Sequence, residues 1–204
     1  MKPAHLFIAV AIIGGGALFY LLFSDSSEAY VVEIEKYRNE REDYMMNSAA
    51  SPFIEAGLEF NGLNYYPPNE KFRIVADLTF IEKPETRHLA TSDGNKQTYI
   101  TFAWASFDFD NRKNRLLILE SLDPGPAKGT LFLAFGDGTS GDGTYGGGRY
   151  LDLTSIPRGS QTIELDFNKA YNPYCAYVPD YSCPLPPPEN LLEVSITAGE
   201  MNYY

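Results

Sequence analysis

Apolar and polar positions at the start of the chain indicate two helices of different character. Positions 6–23 carry no charged residue, and at about 1.5 Å per residue this run is roughly 27 Å long as a helix, close to the roughly 30 Å of a bilayer core. After a polar stretch, larger side chains recur at helical spacing at Tyr30, Ile34, Tyr37, Arg41, Tyr44 and Met45. We predict an amphipathic helix over residues 29–46 that packs this face on its own domain.

The charges around the apolar run predict its orientation. Lys2 precedes the run, whereas Asp25 and Glu28 follow it, so the positive-inside bias leaves the N-terminus in the cytoplasm. We predict that residues 1–29 are a signal anchor with a short hinge, spanning the inner membrane through residues 6–23. The alternatives are a signal peptide cleaved after Ala29, which gives a secreted protein, and a buried core helix. The predicted domain, residues 30–204, faces the periplasm or exterior.

Beyond the amphipathic helix the hydrophobic period changes from helical to extended. Ser51 and Pro52 are typical of a helix N-cap followed by proline at the first helical position, and they predict a short helix that stops near Gly57. From residue 60 the period is two. One set of alternating residues is predicted to face the core from a strand: Phe72, Ile74, Ala76, Leu78 and Phe80.

Further strands are predicted in series, with no helical period between them. The segments are 97–108, 115–121, 130–135, 149–153, 162–167 and 192–197, and residues 111–114 form the turn of a hairpin between the first two. Seven or eight short strands without intervening helices favour an antiparallel β-barrel or sandwich-like domain within residues 60–200. The barrel is our preferred architecture.

Composition excludes some classes of function. The 27 acidic residues outnumber the 16 Lys and Arg residues, giving a net charge of −11. Binding to nucleic acid requires a clustered positive surface, so a nucleic-acid partner is excluded, as is adhesion to anionic lipid head groups. The 14% aromatic content is too high for a disordered chain.

A glycine-rich segment resembles two ligand-binding motifs but meets the requirements of neither. Residues 136–141 match G-x-G-x-x-G after a predicted strand, yet the chain continues through further glycines instead of opening a helix toward a pyrophosphate. Counting from Asp137 as a calcium loop, the twelfth position is Gly148 and not the required glutamate. We predict no cofactor and no metal.

The sequence offers few residues for other familiar catalytic sites. Of the two histidines, His5 precedes the apolar run, and His88 lies in a charged stretch typical of a solvated surface. No Gly-x-Ser-x-Gly nucleophile turn is present. Cys175 and Cys183 are too far apart in sequence for a zinc site without a second pair. In an oxidising compartment they are instead expected to form a disulfide, a free buried thiol or a reactive thiol being the alternatives.

Three motifs resemble a bacterial family known only as a domain of unknown function, family sixteen-eighty-four. They lie at residues 144–151 (Thr-Tyr-Gly-Gly-Gly-Arg-Tyr-Leu), 165–173 (Leu-Asp-Phe-Asn-Lys-Ala-Tyr-Asn-Pro) and 183–190 (Cys-Pro-Leu-Pro-Pro-Pro-Glu-Asn). The similarity covers roughly residues 30–200, although Tyr174 stands where the family more often has a second proline. The resemblance implies a family and a single domain, and no established activity.

The residues of these motifs allow a functional and an architectural interpretation. As a pocket, Arg149, Tyr145, Asp137, Asn168 and Asn172 would offer directional hydrogen bonds to a carboxylate, sugar or phosphate. As architecture, the glycines mark a tight corner, Arg149 pairs internally with Asp166 or Asp137, and the two asparagines hold turns.

Three functions follow as hypotheses. The first is a membrane-anchored envelope protein that binds a small polar ligand. The second is a structural or assembly partner of another envelope protein. The third is a hydrolase assisted by carboxylates from Asp137, Asp142 or Asp166.

Overall fold

A computed structural model of the chain describes residues 27–125, 127–153, 155–157 and 159–204. Helix α1 covers residues 27–47, close to the predicted range. Its predicted inner face packs on the rest of the domain, with Tyr30, Ile34 and Met45 buried. The amphipathic helix inferred from spacing is therefore confirmed.

Helix α2, Pro52–Ala56, is bounded by the predicted signals. The Ser51 hydroxyl accepts a hydrogen bond from the amide of Phe53 and donates to the carbonyl of Met45 at the end of α1. Gly57 ends the helix in a left-handed conformation, with φ of 65°. One serine thus caps α2 and joins it to α1.

No helix among the described residues is long and apolar enough to cross a membrane. The predicted membrane-spanning run, residues 6–23, lies outside the described residues.

The described residues form eight strands: β1 Arg73–Phe80, β2 Thr86–Ala90, β3 Lys96–Phe109, β4 Arg112–Ser121, β5 Leu131–Phe132, β6 Ala134–Phe135, β7 Arg149–Tyr150 and β8 Thr162–Asp166. The larger sheet has six strands, all paired antiparallel, in the order β5-β4-β3-β1-β8 with β2 also paired to β3. β4 lies along one edge of β3, and β1 and β2 share the other edge. The second sheet contains β6 and β7.

The prediction of a mainly β, antiparallel fold is confirmed, but the preferred barrel is wrong. β5 and β8 stand at opposite ends of the strand order, and no ladder of described residues connects them. The sheet stays open because its inner face is covered by other parts of the chain. β6, β7 and the segment 192–198 pack there and form the main core with it.

Strand β1 follows the predicted alternation. Ala76 and Leu78 are buried, whereas Val75 on the opposite face is 67% exposed. The hairpin turn, in contrast, is tighter than predicted. Asp110 and Asn111 both have positive φ, and β4 begins at once at Arg112. Two consecutive residues of this kind match the right-handed twist of the flanking strands, so the predicted loop 111–114 is mostly strand.

Residues 192–197 were predicted to form a strand and do not form one. The hydrogen bonds of this segment go to a loop instead of a strand ladder. The amide of Leu192 donates to the carbonyl of Gly136, and the amide of Gly138 donates to the carbonyl of Val194. The segment can be buried without pairing to a strand, because its backbone polar groups find hydrogen-bond partners in the loop.

Asn190 connects the two sheets. It ends the 3₁₀ turn Pro188–Asn190, and its fully buried amide donates to the carbonyls of Leu117 on β4 and Ala134 on β6, at 3.0 and 2.8 Å. Its Oδ1 accepts from the amide of Leu117 at 2.6 Å. A side chain thus substitutes for a strand at the junction of β4 and β6.

We expect Asn190→Ala to lower the free energy of unfolding by about 2–4 kcal/mol, because three buried backbone groups lose their partner. Urea unfolding followed by the fluorescence of Trp104 measures this change. The control is Asn39→Ala on the exposed side of α1, for which we expect a change within about 0.5 kcal/mol. Equal effects of the two substitutions would contradict a bridging role for Asn190.

Candidate functional site

Arg149, the central residue of the predicted pocket, is fully buried on β7. Its Nη2 donates to Asp137 Oδ2 at 2.8 Å and to the carbonyl of Ile196 at 2.9 Å. Its Nη1 donates to the carbonyls of Ala198 and Glu200. Four acceptors from the protein itself therefore surround the guanidinium, as the architectural interpretation requires.

The chain around Arg149 is shaped for this burial. The C-terminal segment brings the carbonyls of residues 196, 198 and 200 to one guanidinium, and Gly199 between the last two has a left-handed φ of 73°. Gly148 has φ of 84°, and a Cβ there would lie 2.7 Å from the carbonyl oxygen of Phe135. Glycine is required because β7 approaches β6 closely at this corner.

Asp137 is held as firmly as its partner. Its Oδ1 accepts from the amide and hydroxyl of Thr139, at 2.8 and 2.7 Å, and from the amide of Ile196 at 3.2 Å. The glycine-rich segment after it forms turns and opens no helix. The carboxylate organises this loop and fixes the loop to the C-terminal segment.

Asn172 belongs to a second buried network, centred on Glu200. Its Nδ2 donates to Glu200 Oε1 at 2.9 Å and to the carbonyl of Met201 at 2.8 Å. Arg41 of α1 lies 3.5 Å from Glu200 Oε2, and the hydroxyl of Tyr177 donates to Oε1. Burial raises the pKa of Glu200, although Arg41, Tyr177 and Asn172 oppose the shift.

Asn168 belongs to a third network of hydrogen bonds. Its Oδ1 accepts from the amide of Asn69 at 2.8 Å, and its Nδ2 donates to the Asn69 carbonyl and to the hydroxyl of Tyr30 on α1. Tyr30 in turn donates to Asp166 Oδ1 at 2.9 Å. Asn168 thus fixes α1 and the chain at residue 69 to the end of β8.

Tyr145 is half-buried, and its hydroxyl lies 3.7 Å from the sulfur of Cys175. Cys175 and Cys183 are both free thiols in the structure, so the predicted disulfide is not formed there. The backbone amide of Cys175 donates to the sulfur of Cys183 at 3.0 Å. This contact makes the two cysteines neighbours in the fold.

The five predicted residues therefore do not share one site. Arg149 and Asp137 form one pair, Asn172 contacts that pair only through the backbone of Glu200, and Asn168 and Tyr145 lie elsewhere. Asp142, named with Asp137 and Asp166 for carboxylate-assisted hydrolysis, is exposed in a turn. Within the described chain, no group of three or more His, Cys, Asp or Glu side chains is arranged to hold a metal ion.

A cleft next to α1 is the feature that sequence patterns missed. Its volume is about 360 Å³, and its lining residues come from four segments of the chain: Tyr37, Leu151, Asp152, Leu153, Ile163, Glu164, Asp166 and Lys169. Leucine and isoleucine side chains supply apolar surface beside three carboxylates and one ammonium group. A size of about 300–1,000 Å³ and a lining of this kind are typical of small-molecule sites.

Acidic groups dominate the cleft. Lys169 Nζ lies 2.6 Å from Glu33 Oε1, and the resulting hydrogen bond lowers the pKa of Glu33. Glu164 pairs with Arg73 at 2.8 Å. The cleft and its ion pairs contain four carboxylates and two cations, which gives a net charge of −2. The carboxylates are those of Glu33, Asp152, Glu164 and Asp166, and the cations are Arg73 and Lys169.

Two carboxylates of the cleft make no hydrogen-bonded ion pair. Asp152 is exposed and accepts a hydrogen bond from the hydroxyl of Tyr171 at 2.6 Å. Asp166 is only 6% exposed, its Oδ2 has no hydrogen-bond partner among the described residues, and Lys169 Nζ is 3.9 Å from that oxygen. Burial, opposed by Arg41 and assisted by Asp152 among others, raises the pKa of Tyr37 to about 12, so this phenol stays neutral in the cleft.

Fold and site together define a class: a mainly β, antiparallel domain whose motif arginine and asparagines are used inside the protein, with an acidic cleft against an N-terminal helix. The chain belongs to the family described as "Protein of unknown function (DUF1684)", whose model matches residues 58–201. The family inferred from the three motifs is confirmed.

A solved structure is similar to this chain over most of its length. It is the solution NMR structure of an uncharacterised protein of Haloarcula marismortui, 36% identical in sequence, with a TM-score of 0.64. The match covers 87% of this chain and 96% of that chain. Among curated proteins, none matches.

We expect Arg149→Lys to lower the free energy of unfolding by about 3–5 kcal/mol, because one ammonium group cannot replace a guanidinium that bonds four buried acceptors. Urea unfolding provides the measurement. Arg112→Lys, at an exposed ion pair with Glu193, is the control and is expected to cost less than about 1 kcal/mol. Similar losses in the two variants would show that the buried cluster is not a stability determinant.

Proposed function

We propose that this protein is a membrane-anchored binding module for a small organic cation, taken up by the cleft between α1 and the end of β8. The observation that carries the proposal is the combination in one cleft of apolar surface with a net charge of −2. A ligand with an ammonium group and a short hydrophobic part would use both properties.

Asp152 and Asp166 would select the charge of the ligand. Asp152 is exposed and can accept a hydrogen bond from an ammonium group while it keeps its bond to Tyr171. Asp166 would add attraction from within, since its Oδ2 has no bonded donor among the described residues. A carboxylate, sulfate or phosphate ligand would instead meet like charge, which disfavours the anionic ligands considered for Arg149.

The position of the cleft on α1 is consistent with a tethered module. Tyr37 lies ten residues beyond the first described residue of the helix, or roughly 15 Å along its axis. In this proposal the leader anchors the chain in the inner membrane, and the cleft faces the periplasm or exterior close to the bilayer. Removal of the leader by cleavage would leave the cleft unchanged and secrete the module.

The binding test uses three probes of the same shape and different charge: benzylammonium, benzyl alcohol and benzoate. We expect only benzylammonium to shift the amide NMR resonances of residues 151–153 and 163–169 in the full chain, held in micelles of a nonionic detergent. Preferential shifts with benzoate would overturn the charge assignment, and absence of shifts with all three probes would overturn the cleft as a ligand site.

Two substitutions should change the affinity for benzylammonium in opposite directions. Asp152→Asn should weaken binding about two- to fivefold, because one exposed carboxylate contributes about 0.5–1 kcal/mol. Lys169→Met should strengthen binding, because it removes the cation that lies 3.9 Å from Asp166. Asp180→Asn, the same charge change at an exposed turn, is the control and should leave the affinity unchanged. Equal responses of all three variants would argue against the cleft.

A further inference from the structure

The two cysteines form a pair of neighbouring thiols that the proposed binding function does not use. Cys175 lies in the 3₁₀ turn Tyr174–Ala176, and Cys183 lies in the loop after it. Both residues are nearly buried, and the amide of Cys175 donates to the sulfur of Cys183 at 3.0 Å. The 3₁₀ turn therefore places the two sulfur atoms beside each other.

Contacts with the rest of the fold hold this arrangement. The amide of Cys183 donates to the hydroxyl of Ser92 at 3.1 Å, and the Cys183 carbonyl accepts from the amide of Ser92 at 2.8 Å. The hydroxyl of Tyr150 donates to the carbonyl of Pro184 at 2.6 Å. Cys183 is thus fixed on both sides, and the distance between the thiols does not depend on the flexibility of a free loop.

The surroundings make the two thiols chemically unequal. The hydrogen bond from Cys183, together with those from Tyr145 and Ser92, lowers the pKa of Cys175 to about 6 in spite of its burial. The same hydrogen bond, now with burial in support, raises the pKa of Cys183. Burial and the bond to Cys175 raise the pKa of Tyr145 to about 12, so its hydroxyl remains a donor. The pKa of Cys175 is thus lowered and that of Cys183 is raised, so Cys175 is the thiol of the pair that ionises first.

We infer that Cys175 and Cys183 form a peroxide-reactive thiol pair, in which Cys175 is the nucleophile and Cys183 is the resolving thiol. The inference is independent of the cleft, which none of these residues lines. A lowered thiol pKa and a neighbouring resolving thiol are two properties of redox-active cysteines. Access of the oxidant is a third, and Cys175 and Cys183 are 8% and 6% exposed.

Hydrogen peroxide is the oxidant in the proposed reaction, which converts the two thiols to a disulfide in two steps. The thiolate of Cys175 attacks one peroxide oxygen, an S–O bond forms, the O–O bond breaks, and the hydroxide released is protonated to water. The thiol of Cys183 then attacks the sulfenic sulfur, an S–S bond forms, the S–O bond breaks, and a second water leaves with the Cys183 proton. Two electrons pass from the sulfur pair to the peroxide.

The experiment compares the reduced full chain with Cys175→Ser and Cys183→Ser at neutral pH, using hydrogen peroxide in a small excess. In the unsubstituted chain we expect an intact mass lower by two hydrogens and the loss of both maleimide-reactive thiols. Cys183→Ser should stop at the sulfenic acid of Cys175, which dimedone captures. Cys175→Ser should react at least about tenfold more slowly, because burial still disfavours ionisation of the remaining thiol.

The pH dependence separates this role from a structural one. The rate of Cys175 oxidation should rise as pH increases through about 6, since only the thiolate reacts. Tyr145→Phe keeps the ring but removes the donated hydrogen bond, so it should move this midpoint to higher pH without preventing oxidation. The other titratable groups near the two sulfurs keep their identity in every variant: Asp93, Tyr150 and Tyr181.

Unfolding the chain in urea provides the control for folding, because the two cysteines should then react at similar rates. Equal rates for the two single variants in the folded state would overturn the inference. So would oxidation of the folded chain only to disulfide-linked dimers, since that product would show that Cys183 cannot reach the sulfenic acid. A midpoint near that of an ordinary thiol would overturn it as well.

Discussion

Burial of one positive charge, that of Arg149, organises the centre of this protein. A guanidinium removed from water must be surrounded by acceptors, and the desolvation of the ion costs several kcal/mol. Asp137 supplies the opposite charge, and alternate carbonyls from residues 196–200 supply the remaining acceptors. This requirement explains why the C-terminal segment is buried although it forms no strand ladder.

Other features follow from the same requirement. Asp137 fixes the turn at Thr139 as well as Arg149, so the glycine-rich segment is a structural loop instead of a phosphate cradle. Glu200 extends the buried polar network to Arg41 on α1, and Asn168 joins α1 to the end of β8 through Tyr30. Because a buried polar group without a partner costs free energy, these hydrogen bonds favour one position of the helix on the sheet.

The position of α1 helps to form the acidic cleft. Tyr37 and Glu33 bring one wall and one charge to the acidic cleft, whose remaining groups come from β8 and its surroundings. The thiol pair lies in a different region, where Ser92 and the 3₁₀ turn at Tyr174–Ala176 meet. The cleft and the thiol pair are thus two separate parts of one scaffold.

The sequence by itself determined what depends on neighbouring residues. The period of α1, the cap at Ser51, the alternation of β1 and the motifs of the family were all readable, because they express local geometry. Only the tertiary structure decided the rest. β2, a charged segment, is a strand because β3 offers it an edge, and Leu192 to Thr197 is not one because a loop and Arg149 take its bonds. Whether a polar side chain faces a ligand or a buried partner depends on segments distant in sequence. A local sequence pattern does not predict which of those segments will lie beside it.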